Sequence, residues 1–318
     1  MTTFDIAEFN PATQIPPYAS MVFIGGRRTG KSYCARSICY YIKDEVYDAT
    51  VFTGSDEDNH PWTEYVPSVF VHDDYIESVL KVAIGRQKER KGIAKKCNIK
   101  PPSHLIVFED LEYKQHNVFV NESARNVILN GRHVRTYPMA LIQYAMKGIT
   151  KECRSMLDLV FLQKEADLKN RDKLWELFGS YIKRDDFESL FMAATENFGT
   201  LVVNTRSNSY DPSDTFFWYK AKDMGQFHIG HPDFWKFDKL NNKDNDDNVI
   251  ENEVHHTPVA TACMCDPAYG IDVGMIKDTL NHQNACNSAR RGANDIKMVI
   301  KKMITPSGNT IRLMSSIQ

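Results

Sequence analysis

The sequence has 318 residues, which at about 150 residues per domain corresponds to two units or to one large α/β domain with a tail. Hydrophobic residues make up 42% of the chain, enough to bury a core, so a wholly disordered protein is excluded. The 39 basic and 41 acidic residues give a formal net charge of -2, which excludes a uniformly basic nucleic-acid-binding coat and leaves only local basic patches.

Cysteines and apolar runs indicate the compartment. The 7 cysteines are scattered and odd in number, which argues against a disulfide scaffold and indicates a reducing environment. The first residues carry no signal-peptide pattern, and no run of about 18 apolar residues is present. We therefore expect a cytosolic or nuclear protein without a membrane span.

Short apolar runs alternate with helical patterns up to about residue 239, which predicts βαβ units and a mostly parallel sheet. The runs lack polar alternation, as is typical of parallel strands that are covered on both faces. The predicted strands are Ser20–Ile24, Ala49–Thr53, Ser68–His72, His104–Phe108, Met139–Gln143, Leu159–Leu162 and Thr200–Asn204, with Phe216–Tyr219 as a last strand or an aromatic edge. The predicted helices are Lys31–Lys43, Asp73–Arg90 with Asp73 as its N-cap, Asn121–Leu129 and Asp167–Phe178.

The composition changes after residue 239, so we place a boundary there between a core, residues 1–239, and a weakly structured tail, residues 240–318. Asn241–Glu253 holds five acids, one Lys and five Asn, which predicts a solvated linker. Ala289–Gln318 holds six basic residues and one acid, and within it Lys297–Ile304 fits a short basic amphipathic helix.

The apolar run Met21–Ile24 leads directly into the motif G-x-x-x-x-G-K-S, and a predicted helix follows. Glycines let the backbone turn its N–H groups toward an anion, and the positive end of the helix points at the same place. We predict a nucleotide phosphate site in which Lys31 reaches the β- and γ-phosphate oxygens and the Ser32 hydroxyl ligates Mg²⁺. The motif residues are Gly25, Gly26, Arg27, Arg28, Thr29, Gly30, Lys31 and Ser32.

A second predicted strand, His104–Phe108, ends in the acids Glu109 and Asp110. Paired acids at the end of an apolar strand are typical of the Walker B motif, which works beside Mg²⁺ and the attacking water. We assign Glu109 to the metal shell and Asp110 to the water, and the reverse assignment stays open because the usual order places Asp first. Strand-end carboxylates that only meet solvent or cap a helix are the alternative.

A third strand supplies an amide and is preceded by basic residues. Gln143 at its exit is a candidate sensor of the γ-phosphate, with an ordinary strand-end glutamine as the alternative. Arg132, before the strand, is the first candidate for an arginine finger and Arg154 the second. A guanidinium fork suits the charge of phosphoryl transfer, and a neighbouring subunit can supply it.

A basic stretch just before the acidic strand contains seven basic residues and one acid between residues 86 and 100. Mobile positive charge suits contact with DNA phosphates without sequence readout, whereas a solvated helix end is the alternative. The candidate DNA contacts are Arg86, Lys88, Arg90, Lys91, Lys95 and Lys96, with the basic tail as a second candidate surface.

These motifs, in this order, resemble those of the FtsK/HerA P-loop ATPases and, more narrowly, of the poxvirus-type genome-packaging ATPases of large double-stranded DNA viruses. The likeness covers about residues 5–239 and includes Phe9-Asn10-Pro11, Asn130-Gly131-Arg132-His133 and Thr215–Ala221. The chain departs from the family at Glu109-Asp110, where relatives carry Asp-Asp or Asp-Glu, and at Met146-Lys147.

The resemblance implies an α/β P-loop NTPase fold of the RecA/FtsK type, with ATP and Mg²⁺ as cofactors. It also implies a homo-oligomeric ring, a hexamer, with double-stranded DNA through its centre, ATP between subunits and an arginine supplied in trans. The expected function is ATP-driven packaging of a viral genome into a capsid, with capsid or portal proteins as partners, in the virion or the host cytoplasm. A P-loop kinase of a nucleoside or small metabolite is the alternative.

Overall fold

The computed structural model describes residues 3–54, 61–111, 118–246, 297–306 and 308–317. Its strands are β1 (Thr3–Ala7), β2 (Met21–Ile24), β3 (Val46–Thr53), β4 (Val71–His72), β5 (Ser103–Glu109), β6 (Thr136–Ile142), β7 (Leu159–Leu162), β8 (Thr200–Asn204), β9 (Phe216–Tyr219), β10 (Lys297–Ile304) and β11 (Thr310–Ile317). Its helices are α1 (Pro11–Gln14), α2 (Lys31–Ile42), α3 (Glu77–Lys96), α4 (Glu122–Asn130), α5 (Ala145–Gly148), α6 (Lys151–Ser155), α7 (Leu168–Phe178), α8 (Arg184–Ala194) and α9 (Pro232–Asp246). None of the helices in these ranges is long and apolar enough to cross a membrane.

A mostly parallel sheet of eight strands, in the order β4-β3-β5-β6-β2-β7-β8-β9, forms the centre of the fold. The strands from β4 to β7 pair in parallel, whereas β8 and β9 are antiparallel to their neighbours. Strand β2 lies between β6 and β7, with Ile24 level with Ile142 and Leu162. We call the edge where the parallel strands end the carboxyl edge and the opposite one the amino edge. The residues that follow β2, β5, β6 and β7 therefore meet at the carboxyl edge.

Both faces of this sheet are buried. Along β2, Val22 and Ile24 belong to one apolar cluster, and Met21 and Phe23 belong to another. Helix α2 covers the face of Met21 and Phe23, whereas α3, α4, α7 and α8 cover the other face. Since successive strand residues point to opposite faces, two covered faces require the unbroken apolar runs seen in the sequence. The predicted α/β fold class is confirmed.

Several element boundaries follow the predictions, but those of β4 and α3 do not. Of the predicted strand Ser68–His72, Ser68–Phe70 is a 3-10 turn and only Val71–His72 is a strand. Strands β7 and β8 match their predicted bounds, and Asn121 and Asp167, the first residues of two predicted helices, are the N-caps of α4 and α7. Helix α3 begins at Glu77, so the predicted N-cap at Asp73 is wrong, and the helix runs past Arg90 to Lys96. The reason is tertiary: Tyr75 is buried against the rings of Phe52 and Phe108, which keeps the chain out of the helix until after it.

The carboxyl-terminal residues differ from the predicted helix. Lys297–Ile304 is a strand that pairs antiparallel with β11, and β11 pairs in parallel with β1 in a second sheet of three strands. In β11, Ile311 and Leu313 are buried, while Arg312 between them forms an ion pair with Asp5. This alternation has a period of two, as a strand with one buried face requires. The pairing joins the two ends of the chain.

The acidic segment Asn241–Glu253 is described only in its first residues. Helix α9 continues through residue 246, across the predicted boundary at residue 239. The rest of that segment and residues 254–296 lie outside the described residues. The division into a core and a tail at residue 239 stays a prediction.

Candidate functional site

The phosphate loop joins β2 to α2 at the carboxyl edge, over residues 25–30. Arg28 and Gly30 adopt left-handed backbone angles, with φ of 62° and 96°, and Gly30 is the N-cap of α2. At its start the loop lies so close to the end of β7 that a Cβ on Gly25 would be only 2.8 Å from the Cβ of Gln163. A glycine is therefore required at position 25, and the loop curves as an anion-binding turn does.

The loop and the acidic strand end meet. The ammonium Nζ of the buried Lys31 lies 3.6 Å from Oδ1 of Asp110. The Ser32 hydroxyl donates a hydrogen bond to one oxygen of Glu109, and the indole N–H of Trp62 donates to the other. Four of the predicted site residues, Lys31, Ser32, Glu109 and Asp110, therefore lie at one place.

Glu109 is buried, with 2% of its surface exposed, and both of its oxygens are occupied. Burial raises the pKa of this carboxyl, and the charge of Asp110 raises it further. The hydrogen bonds from Ser32 and Trp62 lower the pKa but do not outweigh burial. An additional positive charge at this point would stabilise the ionised carboxylate.

The side chain of Asp110 is more exposed than that of Glu109, and its position is fixed by the conformation and contacts of its backbone. Its φ is 47°, and its N–H donates to the carbonyl of Leu141 on the adjacent strand. A Cβ on Gly54 would lie 2.4 Å from the Asp110 carbonyl oxygen. The residue that follows β3 must therefore be a glycine for Asp110 to lie here. Among the described residues Asp110 Oδ1 accepts no hydrogen bond, and 30% of the side chain is exposed. Oδ1 is itself buried beside the Lys31 ammonium, whereas other atoms of the side chain are exposed.

Two glutamines lie on either side of the phosphate loop. Gln143 follows β6 and Gln163 follows β7, and both line one cavity together with Gly25. The Gln163 N–H donates to the carbonyl of Ile24 at 2.8 Å, while Oε1 of this buried side chain has no hydrogen-bond partner among the described residues. Sequence reasoning found Gln143 and missed Gln163, although both are polar residues directly after an apolar strand.

Sequence reasoning also missed Trp62 and Gly54, which position Glu109 and Asp110. Trp62 is fully buried, and its contact with Glu109 joins residues 47 positions apart. No local pattern could have found it, because the tryptophan lies in a short 3-10 turn, Pro61–Glu64, and not in a motif. Gly54 had a signal, namely a glycine immediately after a buried strand, which often marks close backbone approach.

The two candidate arginine fingers lie far from the loop of their own chain. Arg132 is exposed in a 3-10 turn at the amino edge, just before β6. The 7 residues of β6 then span about 20 Å to the carboxyl edge. Arg154, on α6 before β7, donates to the carbonyl of Ile149 at 2.6 Å. Neither guanidinium belongs to the cluster around Lys31.

Arg90 contradicts its assignment as a DNA contact. It is buried and forms two hydrogen bonds, of 2.7 and 2.6 Å, with the carboxylate of Asp48, which also lies 2.5 Å from Nδ1 of His104. Burial opposes ionisation of Asp48, but Arg90 and His104 outweigh it and hold the pKa of the carboxyl far below its usual range. The guanidinium is needed inside the protein, because without it a buried charge would lack a partner.

The other basic residues of α3 are at the surface to different degrees. Arg86 is half-buried, with its guanidinium over the ring of Phe70. Lys91 donates to the carbonyl of His133, next to Arg132. The exposed side chains are those of Lys88, Lys91, Lys95 and Lys96. These four lysines form a basic surface on α3.

The site has the arrangement of a P-loop NTPase fold. Strand β2 leads through a glycine-containing loop into α2, and the first residue of α2, Lys31, faces the acid Asp110 across β6.

No family model matches the chain. It is 26% identical over 239 residues to an uncharacterized protein of Acanthamoeba polyphaga mimivirus, an alignment that covers 73% of this chain and 82% of the other. It is 27% identical over 237 residues to an uncharacterized protein of Invertebrate iridescent virus 3, with 73% and 87% covered.

Among solved structures, the chain is similar to the genome packaging NTPase B204 from Sulfolobus turreted icosahedral virus 2 in complex with sulfate. The TM-score is 0.49 at 12% sequence identity, and the match covers 67% of this chain and 100% of that one. The sequence relatives, in turn, are proteins of large DNA viruses.

Proposed function

We propose that the protein is an ATPase whose site lies at the carboxyl edge, between the phosphate loop and the acids after β5. The observation that carries this proposal is the convergence of Lys31, Ser32, Glu109 and Asp110, with 3.6 Å between Lys31 Nζ and Asp110 Oδ1. One magnesium-bound triphosphate fits such a cluster, because the loop supplies N–H donors and a cation while the acids supply oxygens.

The residues around Ser32 fit a magnesium ion. Mg²⁺ prefers oxygen ligands, and the Ser32 hydroxyl and the Glu109 carboxylate already touch at the loop. These two residues would hold the metal together with phosphate oxygens of ATP. When bound, Mg²⁺ supplies positive charge that stabilises the phosphates. Trp62 orients Glu109 by its hydrogen bond to the second oxygen.

Asp110 is the better candidate to position the attacking water. Glu109 is buried and both of its oxygens accept hydrogen bonds, whereas 30% of the Asp110 side chain is exposed and its buried Oδ1 has only the Lys31 ammonium, at 3.6 Å, as a partner among the described residues. The carboxylate accepts a hydrogen bond from the water, whose oxygen attacks the γ-phosphorus while the bond to the ADP oxygen breaks. The proton of the water passes to Asp110. Lys31 stabilises the charge that develops on the phosphate oxygens.

Gln143 is the residue that we propose as the sensor of the γ-phosphate. It follows β6, the strand between the acidic strand and the loop strand, so it lies between the acids and Gly25. An amide there can hydrogen-bond the γ-phosphate or the water. Loss of that phosphate on hydrolysis then changes the hydrogen bonds of Gln143.

The position of Arg132 fits an arginine finger that enters the ATP site of a neighbouring subunit. It is exposed at the amino edge, about 20 Å of strand away from its own loop. In a homo-oligomeric ring, which we expect to be a hexamer, the amino edge of one subunit can face the ATP of the next. Arg154, whose guanidinium donates a hydrogen bond to the carbonyl of Ile149 in the same chain, is the second candidate.

The cellular role we propose is translocation of double-stranded DNA during packaging of a viral genome, with capsid or portal proteins as partners. The sequence relatives from large DNA viruses support a viral role, in the virion or the host cytoplasm. The four exposed lysines of α3 offer phosphate contacts that need no base sequence, as movement along any DNA requires.

Phosphate release from ATP, measured with and without double-stranded DNA, tests this proposal. We expect release without any added acceptor, faster release with DNA, and none from the Lys31→Ala variant. Lys81→Ala, which removes an exposed lysine paired with Glu77 on α3, is the control and should retain activity. Release only when a nucleoside or metabolite is added, with the phosphate found on that acceptor, would indicate the kinase instead. Normal turnover by Lys31→Ala would refute the site.

A further inference from the structure

An exposed phenylalanine stands in an unfavourable backbone conformation beside the phosphate loop. Phe198, in the turn between α8 and β8, is 72% exposed and has a φ of 62°. Asn197 before it is also left-handed. A bulky residue rarely adopts these angles, and a large apolar side chain gains nothing from facing water. Such strain persists where the surroundings enforce it, often at ligand sites.

The turn is built so that the ring points outward. Gly199 directly follows Phe198, and a Cβ there would lie 2.2 Å from the carbonyl oxygen of Ala194 and 3.0 Å from that of Glu196. A residue with a side chain would push the turn away from the end of α8. The glycine lets the turn close tightly, which fixes the backbone of Phe198.

Phe198 lies on the same edge of the sheet as the phosphate loop. Strand β8 is antiparallel to β7, so its first residues are level with the end of β7, with Leu201 opposite Leu162. The ring reaches the loop itself: a Cβ on Gly30 would be in van der Waals contact with Cδ1 of Phe198, at 3.8 Å. The aromatic ring is therefore next to the N-cap of α2, where the loop's phosphate-binding N–H groups are expected.

The strand order gives the direction in which a bound nucleotide extends. The acids follow β5, two strands to one side of β2, and Phe198 precedes β8, two strands to the other side. At about 4.8 Å per strand, β5 and β8 are about 19 Å apart. A nucleotide with its γ-phosphate at the acids and its β-phosphate in the loop has its base on the β8 side. Phe198 is an exposed aromatic on that side of the loop.

We propose that Phe198 is the stacking platform for the base of the bound nucleotide. This inference rests on the ATP site proposed above and adds the part of that site that holds the base. Stacking uses the π-face that every base has, so the platform contributes affinity without distinguishing adenine from guanine. It also explains why an exposed phenylalanine is held in a strained turn.

Binding of ATP, GTP and inorganic tripolyphosphate to the full chain, measured by calorimetry with Mg²⁺, tests the platform. Phe198→Ala should weaken ATP and GTP binding by a similar factor, about 5- to 140-fold, which is the range that alanine substitution of base-stacking aromatics gives. Tripolyphosphate has no base, so its affinity should not change. Phe198→Trp should restore nucleotide binding. Tyr210→Ala, which removes a 99% exposed aromatic beyond the far end of β8, is the control and should leave all three affinities unchanged.

The outcomes separate this inference from the proposed ATP site. Lys31→Ala should lose affinity for tripolyphosphate and for ATP alike, and normal binding of both would refute the phosphate site itself. If Phe198→Ala binds ATP as well as the wild type does, the platform is wrong. Equal losses for ATP and tripolyphosphate would mean that Phe198 only supports the loop. A changed oligomeric state with intact ATP affinity would make it a subunit contact, and this too would overturn the inference.

Discussion

Replacing Arg90 with methionine removes both guanidinium hydrogen bonds from a carboxylate that is buried in the protein. Asp48 is 1% exposed, and without Arg90 it retains the contact with Nδ1 of His104. Removing one partner of a buried ion pair costs about 3–5 kcal/mol, and the remaining histidine places this case near the lower end, about 3 kcal/mol. Methionine keeps much of the volume, so most of the loss reports the unpaired charge.

Equilibrium denaturation at neutral pH measures this loss directly. At about 2–4 °C per kcal/mol for a large domain, the melting temperature should fall by about 6–12 °C. Lys91→Met, at the next position on α3, is the matched control and should change stability by about 0.5 kcal/mol or less, because its side chain is exposed. The Asp48→Leu/Arg90→Met double variant should be more stable than Arg90→Met, since no charge is left without its partner.

The pH dependence of the same variants gives a second readout. Because the pKa of Asp48 is lower in the folded than in the unfolded protein, its ionised form stabilises the fold above about pH 4. That stabilisation is lost as the pH falls below this value. The stability difference between the wild type and Arg90→Met should therefore be largest near neutral pH and shrink in acid. A variant as stable as the wild type but with weaker DNA binding would refute the buried ion pair and restore Arg90 as a DNA contact.

Three further predictions concern the site and the surface. Asp110→Asn should bind ATP but release phosphate at least about 100-fold more slowly, measured in single-turnover assays; if Glu109→Gln shows that phenotype instead, the roles of the two acids are reversed. Arg132→Ala should lose ATPase activity and regain part of it when mixed with Lys31→Ala, whereas no recovery at any mixing ratio would exclude a trans role. Lys95→Ala should weaken DNA binding and reduce the slope of log K against log salt by about 0.9, and an unchanged slope would exclude this lysine from the phosphate contacts.

The parts of the fold that local sequence could predict are those determined by local chemistry. The apolar strands, the glycine-containing loop and the helix starts at Asn121 and Asp167 each depend on a few adjacent residues. The site residues of the loop and of the acidic strand end were found for the same reason. Their meeting followed from one topological rule, that the ends of parallel strands share an edge of the sheet.

The features that were missed depend on contacts between distant residues. Trp62 reaches Glu109 across 47 positions, and β11 pairs with β1 across nearly the whole chain. The basic pattern of α3 gave no sign that Arg90 turns inward, because its partner Asp48 lies 42 residues away on β3. A helical charge pattern indicates exposure only where no buried acid faces it, and that acid is visible only in the fold.

A structure of the protein with a nonhydrolysable ATP analogue and Mg²⁺ tests the account most directly. The γ-phosphate should lie within about 3 Å of the Lys31 ammonium. The metal should be ligated by the Ser32 hydroxyl, with Glu109 in its shell and Asp110 facing the γ-phosphate through a water. Electron density for the nucleotide elsewhere, with the loop and the acids contacting only each other, would contradict both the ATPase site and the function built on it.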